Sequence, residues 1–143
     1  MQIVEGNFFP PEFKYFPFNP GDLLSAQGED LKFSLSKVLT VERIRVDKGQ
    51  SINIRGQIFE ATEDDYLLVI GCAYGVDRFH SLEAAKEAAE SGSWTVKFGH
   101  IPNRAPGAMA GQVRIGSEDV KDLELEGYWV WKAAFENGEV GIF

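Results

Sequence analysis

The sequence predicts an α+β fold: a strongly twisted antiparallel sheet, open or curled toward a small barrel, carrying two helices. Two observations lead there. Several stretches between Phe33 and Ile115 alternate apolar and polar residues or run apolar, and turn-forming links join the first of them, which favours antiparallel neighbours over crossovers. Two further stretches, Leu82–Glu90 and Asp122–Glu136, have helical composition or helical spacing of apolar residues. A chain of 143 residues, 44% hydrophobic and 25% charged, closes one apolar core, so residues 1–143 are read as a single domain.

Residues 1–20 form an arm. Pro10, Pro11, Pro17 and Pro20 stop it from continuing a helix or donating to a ladder, and its six aromatics supply apolar surface for docking on the domain. An exposed aromatic patch for a partner is the alternative. Phe33–Val46 is a strand, or two with a bend, followed by a turn at Asp47–Gln50 in which Gly49 takes positive φ. Ser51–Glu60 alternates as a second strand, with Gly56 marking a bulge. After the polar link 61–65, Tyr66–Tyr74 is a nearly continuous apolar run and hence a central strand, completing a meander. Ser81 caps the first helix, Ser91-Gly92 stops it, and Leu82, Ala85 and Ala89 form its apolar face. A strand at Trp94–His100, a loop bounded by Pro102 and Pro106, a short strand at Gln112–Ile115, the helix at Asp122–Glu136 and a short strand at Val140–Phe143 follow.

Known catalytic constellations are missing from the sequence. The two histidines, His80 and His100, have no partner motif, and His100 in Gly99-His100-Ile101-Pro102 reads as structural. Cys72 lies in an apolar strand, where burial suppresses its thiolate. Phosphate loops, dinucleotide fingerprints and serine elbows are absent, and the acidic run at Glu60, Glu63, Asp64 and Asp65 lacks the order of a calcium loop. The expectation is no enzyme, with no catalytic, cofactor-binding or metal-ligating residues and no cofactor. With one cysteine, no leader-like start and no apolar run of membrane length, the expected location is cytoplasmic and no membrane is engaged.

The charge pattern points to a partner. The formal net charge of -8 disfavours nucleic acid, and residues 117–143 alone hold seven carboxylates against Lys121 and Lys132. A helical wheel puts Leu123, Gly127, Val130, Trp131 and Ala134 on the core face of the last helix, with Tyr128 and Phe135 at its edge. Leu125 and Trp129 then point the other way, among Glu126, Lys132 and Glu136. The arm covers Trp129, or Trp129 is an anchor ringed by carboxylates. The candidate partner-binding residues are therefore Leu125, Glu126, Trp129, Lys132 and Glu136, with Glu63, Asp64 and Asp65 as a second acidic patch.

Gly21-Asp22, Lys37-Val38-Leu39, Gly99–Pro102, and Glu124–Tyr128 with Trp131-Lys132 together resemble small bacterial proteins, some of them similar to immunity proteins of polymorphic or contact-delivered toxins. The resemblance implies a non-enzymatic protein that neutralises a basic toxin domain by direct binding, as a monomer or weak homodimer. It carries no active-site residues onto this chain. Two other readings stand beside it. One is a small enzyme with a pocket near His100 in which Arg104 holds an anionic substrate; the other is a module that self-associates through the aromatic arm.

Overall fold

The protein is described from a computed structural model, which places residues 3–4, 16–104 and 110–143. Five strands make the main sheet: β2 (Asp22–Ser25), β3 (Ser36–Val46), β6 (Asp65–Gly75), β7 (Val96–Arg104) and β8 (Val113–Ser117), in the order β7-β6-β3-β2-β8. Every pair in it is antiparallel. The sheet is open and does not close into a barrel. Its spine is the long β3–β6 ladder, running from Ser36 opposite Tyr74 to Val46 opposite Asp65, with a bulge at Leu39. Leu67 to Ala73 are buried without alternation, which is why that stretch of sequence is continuously apolar.

Both helices lie on one face of this sheet. Leu67 and Val69 of β6 pack with Tyr128 and Trp131 of α2 (Glu126–Glu136), while Leu23 and Leu35 pack with Ala85, Ala88 and Ala89 of α1 (Leu82–Ser91). On the opposite face Leu24, Val38, Leu68, Ile70 and Cys72 are covered by Phe16 and Phe18. These are two of the arm's six aromatic rings; the other four lie outside the described residues. The α1 caps follow the sequence reading: Ser81 Oγ accepts from the Ala84 N–H at 3.1 Å, and Gly92 ends the helix in the left-handed region. Its face differs by one position, since Ala88 is buried and Leu82 is exposed.

The stretch 51–60 departs from expectation. It is not one bulged strand of a meander but a hairpin, β4 (Ser51–Ile54) and β5 (Gln57–Glu60), in a second sheet where β1 (Ile3–Val4) pairs parallel with β5. Arg55 and Gly56 both adopt positive φ, 54° and 81°, the backbone of a two-residue turn whose twist suits a hairpin. With those residues removed as an excursion, β3 pairs directly with β6. The expected loop after Pro102 also shortens. Asn103 and Arg104 belong to β7, whose edge position tolerates the proline, and 105–109 lie outside the described residues.

The last residues join the two sheets. Ile142 exchanges hydrogen bonds with Asn53 and Arg55 of the β4 hairpin, and Phe143 does so with Pro102 and Arg104 of β7. Gly141 permits this, because a Cβ there would collide with the backbone oxygen of Asn53. The Trp131 indole N–H donates to the Gly141 carbonyl at 3.0 Å, tying α2 to the junction.

Lys37, in β3 beneath the start of the last helical segment, has its side chain only 1% exposed. Its Nζ donates to the Asp119 carbonyl at 3.0 Å and to Glu124 Oε1 at 2.9 Å, and Glu118 Oε1 stands 3.8 Å away. A buried ammonium costs several kcal/mol of hydration unless so paired. Removing one partner strands the others, so Lys37→Ala should lower stability by about 3 kcal/mol, and Lys37→Met, which keeps the packing, by roughly half that. Urea denaturation of the three chains measures both.

Candidate functional site

The chain enters α2 through a 3-10 turn, Asp122–Leu125, whose Glu124 side chain accepts from the Lys121 N–H as well as from Lys37. Burial works to raise the Glu124 carboxyl. The hydrogen bonds from Lys121 and Lys37, with the charge of both lysines, outweigh it and hold the group below the usual carboxylate range. The inner face of α2 is then fixed by three contacts. The Tyr128 hydroxyl donates to Glu42 Oε2 at 2.9 Å, Lys132 Nζ pairs with Glu42 Oε1, and Trp131 stacks on Phe135. Burial first, then the Glu42 carboxylate, pushes the Tyr128 phenol up to about 12.

His100 fills the space between this helix and the sheet. A Cβ on Gly71 would strike its Nε2, and one on Gly127 would stand 3.0 Å from its Cβ, so two glycines leave the slot the ring occupies. The ring meets Tyr128 edge-on at 5.7 Å and Trp131 at 5.6 Å. Its Nε2 is buried without a hydrogen-bond partner, and burial lowers the imidazole to about 4. Arg104 is four positions further along β7, about 13 Å in an extended strand, so the structure does not bring the two together as a pocket.

The wheel reading of α2 is corrected in phase. Leu123 and Val130, expected in the core, are 75% and 73% exposed, whereas Leu125, expected outside, packs against the core with Phe135. Two things turn the helix. The 3-10 turn advances about 120° per residue instead of 100°, and the His100–Gly127 contact sets the closest approach. Trp129 does face outward, 60% exposed, its ring edge-on to Tyr128 at 4.9 Å. Glu126 and Ala133 are exposed between Trp129 and Val130 on that outer arc.

The remaining sequence candidates divide. Lys132 is turned inward to Glu42 and, with Glu136, borders a cleft of about 500 Å³ against β4 and β5. Glu136 itself is exposed, 3.9 Å from Lys132. Glu63 and Asp64 sit in the β5–β6 link and Asp65 opens β6; Asp64 accepts from the Lys48 N–H at 2.8 Å and stands 3.5 Å from Arg45. Those bonds close the Asp47–Gln50 turn and do not involve α2. Sequence reasoning missed Leu123 and Val130 as surface residues; the signal was the run of carboxylates from Glu118 to Glu126, which favours a solvated entry turn.

Among the described residues no group of three or more His, Cys, Asp or Glu is placed to hold a metal ion, and no helix is long and apolar enough to cross a membrane. Cys72 is buried, its thiol pushed up to about 12 by burial. No protein family, curated protein or solved structure matches this chain.

The low pKa of His100 sets a pH dependence. The unfolded imidazole takes its proton near pH 6.5 and the folded one near 4, so stability falls as pH drops through that interval. Glu124 adds a further loss below the ordinary carboxylate range, as its folded-state proton is taken up. His100→Gln should flatten the first slope and leave the second, read from denaturation midpoints between pH 7 and 2. Trp131→Ala should cost about 3–5 kcal/mol as a core truncation and Trp129→Ala under about 1 kcal/mol.

Proposed function

We propose that this chain is a protein-binding module that docks a basic partner on the outer face of α2, and that it acts as an immunity-type protein neutralising a toxin domain. The observation that carries the reading is the exposure of Trp129 and Val130 on a helix whose inner face already packs on the sheet, with Leu123 exposed on the 3-10 turn before it. An aromatic ring flanked by aliphatic side chains is the composition of an interface anchor, and its contact with Tyr128 holds it in place before binding. The occupant is specified by charge. Glu126 and Glu136 border the patch within a segment rich in carboxylates, which attracts a basic surface and repels nucleic acid. The absence of catalytic motifs from the sequence and the engagement of His100 in packing support binding over chemistry.

The test uses the purified protein and the product of the neighbouring reading frame, with toxin activity as the readout. The expected result is a 1:1 complex that abolishes that activity. Trp129→Ala should weaken the complex by about 2 kcal/mol or more with the fold intact. Charge reversal at Glu126 and Glu136 should slow association, an effect that fades as salt rises past physiological strength. A neighbour that neither binds nor loses activity overturns the toxin assignment. Undiminished binding by Trp129→Ala moves the docking face elsewhere, with Glu63, Asp64 and Asp65 next to be tested.

A further inference from the structure

The charge of this protein is unevenly spread in a second respect. From Ser91 through Ser117 the chain contains no Asp or Glu, while Lys97, Arg104 and Arg114 fall within it. Arg114 is paired with Asp22 at 2.9 Å. Lys97 is different: it lies over the Phe98 ring, 5.3 Å from its centroid, and forms no ion pair among the described residues. It borders a cleft of about 300 Å³ at the Gly75 end of the β6–β7 pair, and the cleft's second cation is Arg78, whose Nη1 lies near Gly28 with the Asp30 carboxylate close by but forms no ion pair among the described residues. The rest of the wall combines apolar surface from Val76, Phe98 and Ile101 with the Asn103 amide, which is fixed by its bonds to the Tyr74 hydroxyl and the Ile101 carbonyl. None of the described lining residues is a carboxylate. What sets this cleft apart is the combination: two cations at its rim, an apolar wall, and no carboxylate among its described lining residues.

We propose that this cleft binds a small organic anion, a carboxylate on a flat apolar body, with Arg78 and Lys97 facing the carboxylate and Phe98 and Ile101 lining the body. The volume is at the lower end for ligand pockets, which limits the body to one or two rings. Phe98 is 49% exposed, an apolar cost to the free protein that a stacked ring would remove. The site lies on the β6–β7 pair and uses none of the α2 outer-face residues, so it stands or falls separately from the partner proposal.

The probe is 2-naphthoate, compared with the neutral 2-naphthylmethanol and the cationic 2-naphthylmethylamine, by calorimetry and by amide chemical shifts of the full chain. The charge-assisted contacts predict that naphthoate binds about tenfold more tightly than the alcohol and that the amine binds least. Shifts should cluster at residues 74–78 and 97–103. Arg78→Gln and Lys97→Gln are surface changes that leave the fold intact, as circular dichroism checks, and together they should erase the preference for the anion. Equal binding of the three probes, a preference that survives the double substitution, or shifts centred on Trp129 would overturn the proposal.

Discussion

An ammonium group held out of water beneath the last helical segment governs much of this structure. Lys37 cannot be left unpaired at that depth, and its partners all come from the segment 118–124. The chain after β8 is thereby drawn down onto β3 and enters α2 through a tight turn. That entry sets the rotation of α2, and the rotation decides which residues meet the sheet and which meet solvent. A single pairing requirement in a central strand thus reaches the surface chemistry of the protein.

The two faces of α2 express different demands. Inward, each polar group has a defined partner: Tyr128 and Lys132 share Glu42, and the Trp131 indole finds the Gly141 carbonyl. His100 is the exception, kept neutral because its buried Nε2 has no partner and no room for one beside Gly71. Outward, Leu123, Trp129 and Val130 contribute little to the core. Their apolar surface is left over after folding and is bordered by Glu126 and Glu136.

Much of this was legible in the sequence, and the failures have physical causes. Ser81 and Gly92 announced α1, Gly49 announced its turn, and the run from Leu67 to Ala73 announced a strand buried on both faces. The hairpin was hidden because a positive φ at Arg55 leaves no compositional trace, so Gly56 alone read as a bulge. The burial of Lys37 has no local signal in the sequence, since only tertiary partners 82 and 87 residues away make it tolerable. For the candidate site, Trp129, Glu126 and Glu136 were placed outward by helical spacing alone. Leu125 and Lys132 were misplaced because the wheel assumed uniform α geometry through a 3-10 entry.

The junction at residues 141–143 has a consequence for the order of events during synthesis. The hydrogen-bonding edges of β4 and β7 that this segment satisfies are complete long before it emerges, since β4 is finished by Ile54 and β7 by Arg104. A nascent chain therefore carries two unsatisfied strand edges until residues 141–143 have emerged, and these are templates for pairing with a neighbouring chain. The proline in β7 and the abrupt Arg55-Gly56 reversal beside β4 shorten both edges during that interval.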